Sequence, residues 1–203
     1  VVIISTPARK NKQQAEMRAA ILQSARVLLA RSGIEHLSIR KVAQQIDYSP
    51  AIVYHYFDNK EEIIDALLEE DYGKIVEAVK TTAEYHSKKD FKNGIVAYIR
   101  LVTDMGAFYK NVMISDSPRI LQRTSVLHKG AAQERPALEA LCRDLRVCPA
   151  FANQSDTDIE LAAQIIWSTL FGLATRIIIE DVNEDQKERL AEQAAELILK
   201  MFR

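Results

Sequence analysis

Residues 37–68, LSIRKVAQQIDYSPAIVYHYFDNKEEIIDALL, restrict the fold more than any other stretch of the chain. Leu37, Val42, Ala43 and Ile46 fall close to helical spacing and predict one short helix. Asp47-Tyr48 breaks it. Ser49 then offers an N-cap oxygen, and Pro50 supplies the preset φ of a first helical position. The second helix, Pro50 to about Tyr56, offers Ile52, Val53 and Phe57 for packing and leaves Ala51, Tyr54, His55 and Tyr56 to divide between core and surface. Phe57-Asp58-Asn59 ends it, and Asn59 with Glu62 three residues on forms a capping box for a third helix. Helices this short do not persist alone in water. The unit is a helix-turn-helix that must sit on a larger helical body.

The remaining composition fits such a body. The chain has 203 residues, with only six Gly and five Pro, and its apolar residues recur at helical spacing. An all-α fold of about nine helices is expected, with ample core. Residues 1–60 carry nine basic side chains (Arg9, Lys10, Lys12, Arg18, Arg26, Arg31, Arg40, Lys41, Lys60) against four acidic ones (Glu16, Glu35, Asp47, Asp58). The rest carries 18 basic and 24 acidic residues, so a basic end is joined to an acidic body. Such asymmetry suits a protein that sets one end against phosphates, although ordinary surface variation produces it too. Cys142 and Cys148 are too few for a disulfide framework and lack metal-ligand spacing. VVII at the start is far shorter than a signal-peptide apolar region. The apolar run from Ile165 to Ile179 is interrupted and falls short of a spanning helix. A soluble, cytoplasmic protein is expected.

Three segments are expected: residues 1–58, an N-terminal arm and the helix-turn-helix; 59–86, a connecting helix; and 87–203, a second helical domain. Arg9 to Gln14 reads as a polar, basic arm, followed by a helix from about Gln14 to Ser32 that stops at Gly33. The connecting helix runs from Lys60 to about Tyr85, with Ile63, Leu67, Ile75, Val76 and Val79 apolar, and HSKKD at 86–90 is a polar break. Further helices are expected over Phe91–Lys110, Pro118–His128, Ala131–Arg146, Asp156–Glu180 and Glu184–Phe202.

The helix-turn-helix followed by VYHYFDNKEEII resembles the TetR family of bacterial transcriptional regulators. The resemblance rests on Tyr54, His55, Tyr56 and Phe57 at the end of the second helix, then Lys60-Glu61-Glu62, with Gly33, Ser38, Ile39, Arg40, Val42 and Ala43 upstream. It covers roughly residues 17–68. WSTLFGL at 167–173 is a weaker echo of a tryptophan- and glycine-containing helix in that family's regulatory domains. Where the family often has Gly and a small aliphatic in the turn, this chain has Asp47 and Tyr48; Asp tolerates a left-handed backbone, and Tyr48 can reach a phosphate or cover the turn.

The resemblance implies DNA contact for Ser38, Arg40, Ser49, Pro50, Ala51, Tyr54, His55, Tyr56 and Lys60. Chemistry sorts them. Arg40 suits a bidentate contact with guanine or a phosphate. Ser38 and Ser49, at helix starts, favour phosphate oxygens. Tyr54 and Tyr56 can donate to phosphate or pack in the core, His55 suits a surface contact, and Lys60 suits a phosphate. Pro50 and Ala51 offer only apolar contact to a thymine methyl. A recognition helix poor in Arg, Asn and Gln leaves much of the specificity to backbone contacts and DNA shape.

Leu190, Ala194, Leu197, Ile198 and Met201 form an amphipathic stripe, and the preceding helix is apolar on more than one face. With the family resemblance this implies a homodimer through a four-helix bundle, carried by Ala163, Leu170, Ala174, Leu190, Ala194, Leu197, Ile198 and Met201. Small residues at Ala162, Ala163 and Gly172 permit close approach; burial within one chain is the alternative. The resemblance also implies a small-molecule inducer site, with Tyr98, Val102, Met105, Phe108, Met113, Trp167 and Phe171 as its candidate lining; an ordinary aromatic core is the alternative. Scattered histidines and the absence of a Gly-rich phosphate loop argue against an enzyme, and neither a metal nor a cofactor is expected. The expected function is a ligand-responsive regulator, a repressor that binds a pseudo-palindromic operator as a dimer, is released by an inducer and joins the nucleoid when bound. A chromosome-organising or division adaptor without an inducer is the alternative, and a cysteine redox sensor is a further one.

Overall fold

The structure, a computed structural model, describes residues 7–80 and 88–200. Among these the chain forms eleven α-helices and no strand, and it divides into two compact units, Val1–Glu70 and Asp71–Arg203.

In the first unit, α1 (Pro7–Ser32) begins well before the expected Gln14, so Arg9 to Gln14 are helical rather than an arm. Pro7 is suited to the first helical turn, and the Lys, Gln, Ala and Glu that follow are good helix formers. Gly33 ends α1 at φ 74°, its N–H donating to the Leu29 carbonyl at 3.0 Å. After a 3-10 turn at Ile34–His36 come α2 (Ile39–Gln45), α3 (Pro50–Tyr54) and α4 (Lys60–Lys80). Ile21, Ala25, Leu29, Val42, Ala43, Val53 and Ile63 are fully buried and bring the four helices together. The buried Ser24 hydroxyl donates to the Val42 carbonyl at 3.2 Å and ties α1 to α2. The Arg18 guanidinium lies 5.2 Å from the centre of the Phe57 ring, a cation–π contact closing one end of this core.

The second unit holds the end of α4 and α5 (Lys88–Asp104), α6 (Gly106–Met113), α7 (Pro118–Thr124), α8 (Ala131–Glu134), α9 (Pro136–Arg146), α10 (Asp156–Ile179) and α11 (Glu184–Lys200). Two expected helices are each broken in two. The Phe91–Lys110 stretch divides at Gly106, whose φ of 56° no ordinary helix accommodates. The Ala131–Arg146 stretch divides before Pro136, which forces Arg135 into extended backbone (φ −122°, ψ 93°). The helix expected to reach His128 stops at Thr124, because Ser125 is extended. Val79 and Tyr85 to Asp90 of the connecting segment, and Met201 and Phe202 at the C-terminus, lie outside the side chains or residues that are described.

The core of this unit gathers around α5 and α10, with Ile99, Val102, Leu138, Leu145, Ala163, Ala174, Ala191 and Ala195 buried. α11 lies antiparallel to α5. Lys92 pairs with Glu192 and Glu196 at 2.8 and 2.9 Å, Arg100 forks onto Glu188, and the buried Lys187 reaches Asp104 at 3.1 Å. Tyr72 of α4 accepts the Ala137 N–H at 3.2 Å, supplying a partner at the start of α9. α10, at 24 residues, is long and apolar enough to cross a membrane by length and composition, contrary to the shorter run read from the sequence. Seven of its residues are buried in this unit, as in the core helix of a globular fold.

Candidate nucleic-acid interface and effector seam

The turn between α2 and α3 is built from the residues the sequence offers. Ser38 caps α2, its Oγ accepting the Lys41 N–H at 3.3 Å. Asp47 takes a left-handed φ of 58°, which lets the Tyr48 N–H reach back to the Ala43 carbonyl at 3.0 Å. Ser49 occupies the cap position of α3 with extended backbone but makes no side-chain capping bond there, so the expected cap is filled by backbone geometry and Pro50. Its exposed hydroxyl is thereby left for another partner. At the start of α4 the Glu62 N–H donates to Asn59 Oδ1 at 2.9 Å, while Glu62 Oε2 accepts the Asp58 N–H at 2.6 Å. This is the expected capping box, with its return bond moved back by one residue.

α3 is held by Val53 and Phe57, both buried. Ile52, expected to pack beside them, is exposed instead, because five residues give the helix little more than one turn and Val53 takes the inward position. Ser49, Pro50, Ala51, Tyr54, His55 and Arg40 are exposed, and Ser38, Tyr56 and Lys60 are half-buried. Tyr54 is 56 % exposed and Tyr48 50 %, so neither phenol is spent in the core. The His55 and Tyr56 rings meet edge to face at 5.3 Å, which orients the imidazole at the end of the helix. All nine candidate contact residues therefore lie on α2, α3 and the start of α4 with some surface open. Ile52, Tyr48 and Lys41 share these elements and were not among the nine. Lys41 already uses its Nζ on the His36 carbonyl at 3.0 Å. A short capped helix on a fixed base, with cationic side chains beside it, defines the class: a helix-turn-helix DNA-binding protein.

In the second unit the candidate effector residues other than Phe108 join one hydrophobic cluster, a seam where α10 meets α5 and α6. Tyr98, Val102 and Phe108 are buried; Met105, Met113, Trp167 and Phe171 are half-buried. Tyr98 lies 5.1 Å from Trp167 and Tyr109 lies 6.2 Å from Phe171, ring centre to ring centre. The Tyr98 and Tyr109 hydroxyls meet at 2.9 Å. Burial raises the pKa of both phenols, Tyr109 to about 12 and Tyr98 well above the usual range, so both carry their protons at any physiological pH. Two hydroxyls sharing one hydrogen bond leave one proton over, and a buried donor without an acceptor costs about 1–3 kcal/mol.

The candidate dimer residues separate into two groups. Ala163, Leu170, Ala174 and Ile198 are buried within the single chain, their side chains taken up by its own core. Leu190 and Ala194 are half-buried, Leu197 is 54 % exposed, and Met201 lies outside the described residues. The outward face of α10 instead carries Leu161, Ile165, Thr169, Gly172, Arg176 and Ile179, with Ile165 63 % exposed. That stripe follows the helical period one or two positions off Ala163, Leu170 and Ala174, a shift that an all-round apolar helix hides from periodicity.

Comparison with known proteins fits this geometry. Residues 21–67 match the family model of the bacterial regulatory proteins of the tetR family. The transcriptional repressor AcnR of Corynebacterium diphtheriae is 30 % identical over 73 residues, a match covering 36 % of this chain and 38 % of that protein. The chain thus spans well under half of that relative's length in the match. The fatty acid metabolism regulator protein of Bacillus subtilis is 20 % identical over 182 residues, covering 86 % of this chain and 90 % of that one. Among solved structures, FadR from Bacillus subtilis in complex with stearoyl-CoA shares the fold at a TM-score of 0.71 and 21 % identity, covering 89 % of this chain and 96 % of that one. Residues 21–67 thus resemble the tetR family of bacterial regulatory proteins, and the chain as a whole shares the fold of solved regulators of that family.

Proposed function

We propose that this chain is a ligand-responsive transcriptional repressor that binds a pseudo-palindromic operator as a twofold homodimer in the cytoplasm, on the nucleoid when bound. The observation that carries the reading is the exposed surface of α3, whose Ala51, Ile52, Tyr54 and His55 face outward from a helix fixed by Val53 and Phe57. In this reading α3 enters the major groove, Arg40 and Lys60 flank it on the backbone, and Ala51 and Ile52 meet thymine methyls. A second copy covers the Leu161–Ile179 stripe of α10 together with Leu197, which spaces two α3 helices on one duplex.

The effector in this proposal is a long-chain acyl compound seated in the aromatic seam. The uncharged, ring-lined character of the seam supports this, as does the stearoyl-CoA held by a protein of the same fold. Release from DNA requires the effector to bind the DNA-incompetent state more tightly than the competent one. α4 contributes residues to both units and is the element through which the two states would be exchanged.

The test begins with operator selection from random duplexes, followed by titration of the selected site. Arg40→Ala and Lys60→Ala each weaken binding, and Lys60→Ala lowers the salt slope by about 1. Unchanged affinity in both variants puts another face on the DNA. Sedimentation of Ile165→Glu as a monomer, with the wild type dimeric, supports the assigned mating surface.

A further inference from the structure

We propose that the paired hydroxyls of Tyr98 and Tyr109 are a polar anchor that donates one hydrogen bond to an uncharged oxygen acceptor of the effector, the carbonyl of a ketone, ester or thioester. This rests on the reading of the aromatic seam as the effector site and adds to it the chemistry at its buried end. Tyr98 is 2 % exposed and Tyr109 3 %, and among the described residues each hydroxyl has the other as its one hydrogen-bond partner. Either oxygen can donate within the pair, so whichever accepts keeps a proton with no acceptor. Among the described residues no further acceptor bonds to the pair: the rings that meet it, Phe171 and Trp167, are apolar apart from the indole N–H, which is itself a donor.

A second orphan group lies on α10, the helix that carries Trp167 and Phe171. Ser168 and Thr169 of α10 turn their hydroxyls back onto the Gln164 and Ile165 carbonyls at 2.8 and 2.9 Å, the usual resort of such residues in a helix. Thr175 does not. Its Oγ1 is buried without a partner one turn beyond Phe171. Three hydroxyls associated with an otherwise apolar helix seam, with too few acceptors among them, are poor core design and good recognition of an oxygen atom. A bare carboxylate is disfavoured there, because among the described residues no cation pairs with either phenol to offset the burial of its charge. Trp167 and Phe171 are half-buried and touch the two tyrosines, so they form the wall through which an acyl chain or ketone would reach the pair.

Trp167 is the only tryptophan in the chain and sits beside Tyr98, so its emission reads the site directly. The full-length protein is titrated with octan-2-one and with 2-methyloct-1-ene, in which a CH₂ replaces the carbonyl oxygen. The double variant Tyr98→Phe/Tyr109→Phe weakens the ketone roughly three- to tenfold and leaves the alkene unchanged or tighter. Each single variant keeps most of the ketone affinity, since the remaining hydroxyl still donates. Circular dichroism of the near-isosteric variants verifies that the helices persist. Equal weakening of both probes, or no change in either, overturns the anchor while the effector seam stands. If neither probe perturbs Trp167 in the wild type, the anchor and the effector reading fall together.

Discussion

The two units of this chain keep their candidate functional side chains in different places. In the first, the core residues point inward and the candidate DNA contacts point outward, so one helix such as α3 divides cleanly between Val53 inside and Tyr54 outside. In the second, three of the seven candidate effector residues are themselves buried: Tyr98, Val102 and Phe108 are closed off much as Leu138 and Leu145 are. A surface site on a small unit is easily damaged through the few side chains that hold it. A buried site in a large unit is spread over many contacts and is harder to distinguish from packing.

The largest expected effect exploits that difference in core size. Phe57→Ala removes the ring between Arg18 and the end of α3 and should cost about 3–5 kcal/mol. For a unit of this size that is most of its stability, and operator binding is lost with it. Leu138→Ala, in the core of the second unit, should cost about 2–5 kcal/mol yet leave a larger hydrophobic cluster around it. Denaturant unfolding followed by circular dichroism and by Trp167 emission separates the two, because the tryptophan reports only the second unit. Phe57→Ala should bring forward the helical signal and leave the Trp167 transition in place. If both signals shift together, the units melt as one body and the contrast drawn between them is wrong.

A smaller effect is expected where the second unit fixes its own irregular segment. Glu160 of α10 accepts the Gly130 and Ala132 N–H groups at 3.0 and 2.9 Å, and Gln164 donates to the His128 carbonyl at 2.9 Å. These bonds hold the turn before α8, where Gly130 adopts a φ of 84°. The two backbone N–H groups lower the Glu160 pKa below the ordinary carboxylate range. A lowered folded-state pKa means that the contribution is complete above the unfolded value and is lost as pH falls through the folded one. Glu160→Ala should therefore cost about 1–3 kcal/mol at neutral pH, with the gap from wild type closing below about pH 4. A gap that stays constant down to acid pH would show that the carboxylate's charge has no part in holding the turn.

The same contrast governs what could be read in the sequence. In the first unit every break is marked chemically: Gly33, the Asp47 turn, Pro50 and the Asn59–Glu62 pair each leave a residue type that few other positions need. In the second unit the breaks at Gly106 and before Pro136 fall inside long runs of helical periodicity, and the period outweighed the single residue that interrupts it. The pattern on α10 was ambiguous for a different reason. A helix with apolar residues on most of its circumference gives no phase, so periodicity does not separate Ala163, Leu170 and Ala174, buried in the chain's own core, from the outward residues of α10. Thr175, visible only as an interruption in an apolar run, acquires meaning once its hydroxyl is seen to lack a partner.

The smallest effects test whether the outward face of α10 is covered by a second copy. Gly73 of α4 and Gly172 of α10 both lie within helices at ordinary φ, and a Cβ added to either meets nothing within 4 Å. Alanine at each should therefore stabilise the isolated chain by about 0.5–1 kcal/mol, through reduced freedom of the unfolded backbone. Gly73→Ala should keep that sign at every protein concentration. Gly172 sits in the stripe with Ile165 and Arg176, where a partner helix approaching closely would meet the new methyl group. Its gain should then be present in dilute protein and shrink or reverse as concentration rises, because the dimer contributes to stability by mass action. Thermal melts of both variants across a hundredfold range of concentration make the comparison. A Gly172→Ala gain that stays the same throughout, alongside Gly73→Ala, would leave the α10 stripe facing solvent and move the mating surface to another face.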